Sequence, residues 1–529
     1  MRRKIILLLI LLLGFILRLY KIDIPLADHH SWRQADTAAV ARNFIKEGWN
    51  FLQPKIDNMS PLHPGKPNNQ RLFLVEPPIY NSLVALFYKF FGVDVKWARL
   101  ISVMFSLGSI LLLYLITKEY FGVKTGLLAA WFFAVLPYNI FYSRVVLPEP
   151  MIIFFTLAML FFAIKWVKSD KMVFYLPFVL FSSLSFSQKS FPLFLSLPVG
   201  YLFFQKYGFN LYKQKKLYWW ILISFFPLIL WRWWISHFPE GIPANLWLFN
   251  QGNIRFKGAF FYWIFAKRIG ELILGYWGLP LFFLGLVLKP KKENWFFHLW
   301  LFSVFVYIFV FAAGNVTHDY YQIPLIPIFC IFLAKGSSWL LFEKTPEFNR
   351  ILAIGLLLLS VGFSLAFSWY QVRDFYNIQS GVDLAGKWID ENIPKDALIL
   401  TGDSNDATLL YNCNRWGWTG GYASSYPNEP PVIEKVREMG ASYYVATKFD
   451  KNSSFGQYML KTYPLLTETN QYIVFQLNVS EAPFVPPAGK AGKSGSFLWF
   501  KEERALDCYR GSISCIYSPK KASRVFAGR

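Results

Sequence analysis

Charged residues and cysteine are both scarce in this sequence of 529 residues. Only 16% of the residues are Asp, Glu, Lys or Arg, against roughly 25% in a typical soluble protein. Hydrophobic residues make up 55% and the mean hydropathy is +0.33, which excludes a disordered chain and argues against a purely soluble one. The four cysteines form no Cys-x-x-Cys pair, so neither a cysteine-based zinc site nor a disulfide framework is supported.

The charge that is present is strongly basic, with 54 Lys and Arg residues against 32 Asp and Glu and a net charge of +22. A basic balance can indicate nucleic-acid binding. Here the cations lie in short segments between apolar runs, as the positive-inside rule describes for membrane proteins. We therefore expect membrane lipids around the chain and no nucleic-acid partner.

Long apolar runs dominate the first 370 residues. A spanning helix needs roughly 17–25 mostly apolar residues, and the first run lacks the small-residue cleavage site of a signal peptide. The sequence predicts about eleven transmembrane helices, at approximately 4–20, 97–117, 124–142, 150–167, 172–187, 190–205, 217–235, 275–288, 295–313, 320–335 and 350–369. The short apolar stretch 77–92 is predicted to be an interfacial helix.

The distribution of cations predicts the orientation. With the N-terminus in the cytoplasm, 18 basic residues fall in six short inside segments: Arg2, Arg3 and Lys4; Lys118 and Lys124; Lys165, Lys168 and Lys171; Lys206, Lys213, Lys215 and Lys216; Lys289, Lys291 and Lys292; Lys335, Lys344 and Arg350. The short outside turns hold Arg144, Lys189 and little else. The predicted location is a multi-pass protein of the plasma (inner) membrane, with residues after 370 outside.

Three regions follow from this pattern. Residues 1–370 form a transmembrane domain, in which residues 21–96 are the first outside loop. Residues 375–480 alternate strand and helix patterns and predict a small extracytoplasmic α/β domain. Residues 482–529 predict a poorly ordered basic tail. The expected fold class is therefore an all-α polytopic membrane protein with a small C-terminal α/β domain.

The first polar cluster begins eight residues after the first helix, in Asp28-His29-His30-Ser31-Trp32-Arg33-Gln34-Ala35-Asp36. A solvated loop face is one reading, and a functional site is the other. Asp28 precedes a predicted helix and Asp36 lies inside it. Arg33 and Asp36 are three residues apart and can pair on one helix face, which favours a structural role for Asp36.

Further charges occupy the turns between predicted helices. Glu76 precedes Pro77-Pro78, where it is either functional or a helix-start acid. Arg144 and Glu149 share one turn, where they are either functional or an ion pair that holds the turn. Lys189 can meet an anion or reach to the lipid headgroups.

A fifth cluster, Asn315-Val316-Thr317-His318-Asp319-Tyr320-Tyr321, opens another helix from the outside. All five clusters lie on the outside when the orientation is assigned from the distribution of basic residues alone. A transporter more often places its polar groups near the middle of the bilayer, whereas these predicted helix centres are almost free of charge. The chemistry is therefore predicted at the outer membrane boundary.

These motifs together resemble the GT-C glycosyltransferases that use polyprenyl-phosphate sugars. The similarity is to the branch of protein mannosyltransferases and bacterial lipid A aminoarabinose transferases. It covers residues 4 to about 370, and its parts are the acidic first outside loop, Glu76-Pro77-Pro78, the segment Tyr142 to Pro150, Lys189 before Pro192, and His318 to Tyr321 before Pro324 and Pro327.

The resemblance implies an inverting sugar transfer in which a first-loop acid takes the acceptor proton. Asp28 is the best match by its distance from the first helix, and Asp36 is the alternative, because most relatives carry an Asp-Glu pair where Arg33 and Gln34 stand. The resemblance also makes Glu149 the second acid, places Arg144 and Lys189 toward the lipid phosphate, and adds Arg33 and Tyr320 as substrate contacts. Some relatives bind a divalent metal with Glu and His, a role that Glu76 and His318 match here.

The sequence therefore predicts a membrane glycosyltransferase that moves a sugar from a polyprenyl-phosphate donor to an extracytoplasmic lipid, polysaccharide or protein. Sugar transfer requires a base near the acceptor hydroxyl and positive charge near the leaving phosphate. The predicted outside acids and cations supply both. The alternatives are a transporter or flippase of a lipid-linked glycan and a non-catalytic envelope assembly protein.

Overall fold

The fold was analysed in a computed structural model, which describes residues 2–478 apart from residues 64, 343–348, 404, 405, 422 and 423. The predicted tail at 482–529 lies outside the described residues. Helices dominate the chain as far as residue 376, and a small sheet follows. This architecture confirms the expected fold class.

The helical part begins with Arg2–Arg18 (α1), followed by two helices of the first loop, Ser31–Lys46 (α2) and Ile79–Phe91 (α3). The helices that follow are Val95–Val135 (α4), Pro137–Tyr142 (α5), Glu149–Ser169 (α6), Met172–Gln188 (α7), Phe191–Phe194 (α8), Ser196–Tyr207 (α9), Lys215–Ile235 (α10), Trp247–Asn250 (α11), Gly258–Phe261 (α12), Gly278–Val287 (α13), Phe296–Val310 (α14), Ala312–Thr317 (α15), Leu325–Phe342 (α16) and Arg350–Val372 (α17).

The number of spans differs from the predicted eleven. Within the described residues, five helices are long and apolar enough to cross a membrane, or six if the bent pair Gly258–Ile273 and Gly278–Val287 is one span. Three apolar helices, α3, α7 and α14, are shorter. The helices predicted at 97–117 and 124–142 correspond to two helical arms of α4, which are separated at Gly122, where φ 81° and ψ 176° are not helical.

The predicted inside segments meet at one end of the helices. Lys165 lies 2.7 Å from Glu119, and Asp170 lies 3.3 Å from Lys206. Lys335 also lies 3.4 Å from Glu293. We call this the lysine-rich end, and the opposite end, on which the C-terminal sheet docks, the sheet end.

The C-terminal region contains helices Val382–Asn392 (α18), Thr408–Asn412 (α19), Pro430–Glu438 (α20) and Ser454–Thr462 (α21), and strands Ile399–Thr401 (β1), Gly417–Thr419 (β2), Tyr443–Ala446 (β3), Leu465–Glu468 (β4) and Ile473–Gln476 (β5). The strand order is β2-β1-β3-β5-β4. β1 runs parallel to β2 and β3, whereas β5 is antiparallel to β3 and β4.

The first loop is joined to this sheet at its β2 edge. Asn58 forms a parallel bridge with Gly417, whose carbonyl accepts a hydrogen bond from Met59 N at 2.7 Å. The side chain of Asp57 pairs with Arg42 of α2, and the Arg42 guanidinium lies 4.1 Å from the ring centre of Tyr411 in α19. The C-terminal region therefore contacts both the first loop and α2.

A buried arginine stabilises the break between α4 and α5. Pro137 has no N–H, so a continued helix would leave the carbonyl of Phe133 without its donor. Arg18 is fully buried and donates to Phe133 O at 3.1 Å and to Ala134 O at 3.0 Å. The guanidinium thus pairs with the carbonyl of Ala134 and shares the carbonyl of Phe133 with the side-chain amide of Asn139, in apolar surroundings that offer no water.

Replacing this arginine tests its structural role. We expect Arg18→Met to lower the melting temperature of the purified protein, because hydrogen bonds from a charged group contribute about 1.5–3 kcal/mol. Arg3→Met removes an exposed arginine from the same helix and serves as the control, with an unchanged melting temperature. Equal melting temperatures for the two variants would contradict the role given to Arg18.

Candidate active site

Asp28 is the most deeply buried carboxylate of the first loop. Its Oδ2 lies 3.0 Å from Arg144 Nη2 and 3.2 Å from Arg99 Nη2, and all three side chains are fully buried. Its Oδ1 accepts a hydrogen bond from Gln34 at 2.8 Å. Both oxygens are therefore engaged, and this position does not support the predicted role of Asp28 as the base.

The position of Arg144 also differs from the predicted one. Besides Asp28, its guanidinium binds the carbonyl of Lys21 at 2.9 Å and lies 4.6 Å from the ring centre of Tyr376. Because the side chain is fully enclosed, the predicted contact with a lipid phosphate is not supported. The alternative pair of Arg144 with Glu149 is not formed either, since Glu149 pairs with Lys189.

Arg33 of α2 is one of the residues that line a small pocket. It does not pair with Asp36 as predicted, because its Nη2 donates to Glu76 Oε1 at 2.7 Å. Burial opposes the charge on Arg33, but Glu76, with Glu149 and Asp36, raises its pKa above the usual range. The pocket is lined by Arg33, Thr37, Val40, Pro54, Phe73, Val75, Glu76, Pro78 and Asn81.

Lys189 and Glu149 form the second ion pair of the site. Lys189 follows the end of α7 and contacts Glu149 Oε1 at the start of α6. Burial disfavours the lysine charge, but Glu149 and Glu76 raise the pKa of Lys189. The ammonium also lies 5.7 Å from the ring centre of Tyr320. The predicted residues Glu149, Lys189 and Tyr320 are therefore neighbours.

Asp36 differs from Asp28 in that it forms no ion pair with a cation among the residues that the structure describes. The residue is 9% exposed, and its buried Oδ1 has no hydrogen-bond partner among the residues that the structure describes. Burial raises the pKa of Asp36 to about 7, against the effect of Arg33 and together with Asp57 and Asp406. A carboxylate that gains a proton near neutral pH matches the requirement for a general base.

A second cluster surrounds Asp319. His30 Nε2 lies 2.6 Å and His29 Nε2 lies 3.0 Å from its carboxylate, Tyr142 also contacts it, and Arg268 lies 3.4 Å away. Burial opposes ionisation, but the two histidines and Arg268 hold the pKa of Asp319 well below its usual range. The charged carboxylate of Asp319 therefore links the start of α2 to the segment before α16.

The predicted metal ligands Glu76 and His318 have separate surroundings. Glu76 is bonded to Arg33, whereas His318 packs between aromatic rings, with Tyr320 5.5 Å away between ring centres. Burial lowers the pKa of His318 to about 3. Within the described ranges, the side chains whose ligand atoms lie within 4.8 Å of one another are those of His29, His30 and Asp319. Glu76 and His318 thus do not fit a metal site, and no reaction step is assigned to a metal.

Sequence analysis missed several residues that shape this site. Arg99 lies in an apolar predicted helix, and this was the available signal, whereas Arg268 stands next to Lys267 and carries no such signal. Asp57 and Asp406 approach Asp36 only in the folded chain. Gln34 bridges Asp28 and the backbone N–H of Val146, which lies 3.0 Å away, and no sequence signal marks this role.

Comparisons with known proteins agree with this architecture. Residues 75–234 match the family model of dolichyl-phosphate-mannose-protein mannosyltransferases. An uncharacterized protein of Aquifex aeolicus is 26% identical over 339 residues, which are 62% of this chain and 63% of that protein. The chain thus spans less than two thirds of that relative.

Two solved structures have a similar fold. ArnT from Cupriavidus metallidurans bound to undecaprenyl phosphate gives a TM-score of 0.63 at 12% identity, over 89% of this chain and 98% of that one. The oligosaccharyltransferase of Archaeoglobus fulgidus gives 0.52 at 11% identity, over 84% of this chain and 69% of that one. The resemblance to the GT-C glycosyltransferases, in their mannosyltransferase-like and ArnT-like branch, is confirmed.

Substitution of Asp28 tests whether it is structural. We expect Asp28→Asn to destabilise the protein by about 3–5 kcal/mol, because it leaves Arg99 and Arg144 buried without a counter-charge. The measurement is the melting temperature in detergent, with the exposed Asp23→Asn as the matched control. A stable Asp28→Asn protein that has lost only turnover would restore Asp28 as the base.

Proposed function

We propose that this chain is a membrane glycosyltransferase that moves a sugar from a polyprenyl-phosphate donor to an extracytoplasmic acceptor, with inversion at the anomeric carbon. The observation that carries the proposal is the placement of Asp36, whose Oδ1 has no hydrogen-bond partner among the described residues, on the same helix as Arg33. The ion pair of Arg33 with Glu76 neighbours that of Lys189 with Glu149 in this GT-C fold. A base and phosphate-binding cations in one place are the two requirements of sugar transfer.

Lys189 and Arg33 are the proposed phosphate ligands. The side chain of Arg33 is buried, and that of Lys189 is 22% exposed. Both are charged donors, which form the stronger hydrogen bonds to phosphate, and the glutamate of the other pair raises the pKa of each. The solved ArnT structure holds undecaprenyl phosphate, which supports a polyprenyl phosphate as the donor carrier. Tyr320, next to Lys189, is a further proposed contact for the donor.

Asp36 is the proposed general base, with Asp28 as a structural residue. Asp36 takes the proton of the acceptor hydroxyl, whose oxygen attacks the anomeric carbon on the face opposite the phosphate. The bond between that carbon and the phosphate oxygen breaks, and the polyprenyl phosphate leaves with one more negative charge. Lys189 and Arg33 stabilise this charge as it develops.

The overall activity is tested with purified protein and a panel of radiolabelled undecaprenyl-phosphate sugars, with membrane lipids, polysaccharide and peptides as acceptors. A glycosyltransferase consumes donor, releases undecaprenyl phosphate and labels the acceptor. The rival function, a flippase of lipid-linked glycans, would move the donor across a vesicle membrane without cleaving it. Intact donor in every reaction, together with such movement, would contradict the proposal.

The role of Asp36 predicts a rate effect and a pH effect. Asp36→Asn should lower turnover by about 10²–10⁴-fold, as loss of a general base does, while donor binding is retained. The wild-type rate should rise with pH around pH 7, because the base acts only when deprotonated and its pKa is about 7. Asp406→Asn should move that rise to lower pH, since the charge of Asp406 raises the pKa of Asp36. A pH profile that is identical in wild type and Asp406→Asn would argue against Asp36.

The proposed orientation places the sheet end outside the plasma membrane and the N-terminus in the cytoplasm. In a variant with serine at Cys508 and Cys515, a cysteine at the exposed position Lys461 should react in intact cells with a membrane-impermeant maleimide. A cysteine at the exposed position Lys171, at the lysine-rich end, should react only after permeabilisation. The reverse pattern would overturn the orientation.

A further inference from the structure

The two proposed phosphate ligands are already bound to carboxylates. Arg33 Nη2 lies 2.7 Å from Glu76 Oε1, and Lys189 contacts Glu149 Oε1. The side chain of Arg33 is 6% exposed and that of Glu149 is 4% exposed. Two positive and two negative charges cancel here, so a phosphate that arrives meets a site with no net charge of its own.

Each of the two pairs leaves hydrogen-bonding atoms unused. Within the part of the chain that the structure describes, Glu149 Oε2, Glu76 Oε2 and Arg33 Nη1 are buried without a hydrogen-bond partner. Buried polar atoms of a folded protein nearly always have partners. These three atoms around one pair of cations are therefore free to form hydrogen bonds with a bound molecule.

The hydrogen-bonding character of these atoms suits both the phosphate and the sugar of a sugar phosphate. Arg33 Nη1 is a donor and suits a phosphate oxygen, whereas the two carboxylate oxygens accept hydrogen bonds only. A carboxylate and a phosphate oxygen also compete for the same face of a cation, because both are negatively charged acceptors.

We propose that Glu149 and Glu76 are internal competitors of the donor phosphate: they occupy Lys189 and Arg33 in the resting protein, and the phosphate displaces them. The displaced carboxylates then accept hydrogen bonds from the hydroxyl groups of the sugar. This inference rests on the proposed function, since it assumes that a polyprenyl phosphate binds these cations.

The competition has a consequence for turnover. After transfer, the lipid phosphate carries more negative charge than the donor did, and two free cations would retain it. Return of the carboxylates to their cations opposes this retention and promotes release. Removal of either carboxylate should therefore tighten binding of the product, because the carboxylate no longer competes with the lipid phosphate for its cation.

The test measures binding of undecaprenyl phosphate to the full-length protein in detergent. Glu149→Gln should tighten its dissociation constant about tenfold, and Glu76→Gln should act in the same direction through Arg33. Lys189→Met should weaken binding. Glu119→Gln is the matched control, because Glu119 pairs with Lys165 and Lys168 at the lysine-rich end, and it should leave the constant unchanged.

The outcomes separate this inference from the proposed function. If the wild type binds undecaprenyl phosphate and Lys189→Met weakens binding, but both glutamine variants bind as well as wild type or less well, the competition is refuted and the donor site stands. If neither wild type nor glutamine variants bind, both proposals fall. If Glu149→Gln does not fold, as its melting temperature will show, Glu76→Gln alone decides.

Discussion

The site depends on one buried contact, in which Asp28 of the first loop binds arginines of two membrane-helix segments. Arg99 belongs to the second turn of α4, and Arg144 lies in the turn before α6. Charged side chains that are buried away from water are stable only when they are paired. The contact therefore determines where the first loop lies. Because α2 begins three residues after Asp28, the same contact sets the position of Asp36.

Most charged side chains discussed at the sheet end are paired with side chains of opposite charge. Asp28 is neutralised by arginines, Asp319 by histidines and Arg268, and the two glutamates by Arg33 and Lys189. Asp36 stands apart, since its buried Oδ1 has no partner within the described residues. An ionisable group that is buried without compensation favours its neutral form. This distinguishes Asp36 from Asp28, eight residues earlier, whose carboxylate is bound by two arginines.

Much of this architecture could be predicted from the sequence. Apolar length and cation counts indicated a helical membrane protein, and the buried strands β1, β3 and β5 lie in the region predicted to be α/β. β2 reads Gly-Trp-Thr and the residues of β4 are exposed or half-buried, so neither carries the pattern of a buried strand. The charges of Glu149 and Lys189 marked both as site residues, but their pairing brings together positions 40 residues apart. Distance from the first helix favoured Asp28, and only the fold reveals that Arg99 and Arg144 occupy its carboxylate.

The most direct test of this account is a cryo-electron microscopy structure of the full-length protein with undecaprenyl phosphate. The account predicts phosphate density within hydrogen-bond distance of Lys189 Nζ and the Arg33 guanidinium, with Glu149 and Glu76 turned away from them. It also predicts that Asp28 still binds Arg99 and Arg144, and that Asp36 faces the side where the acceptor would enter. Phosphate density on Arg144, or on the cluster around Asp319, with both glutamates still paired, would contradict it.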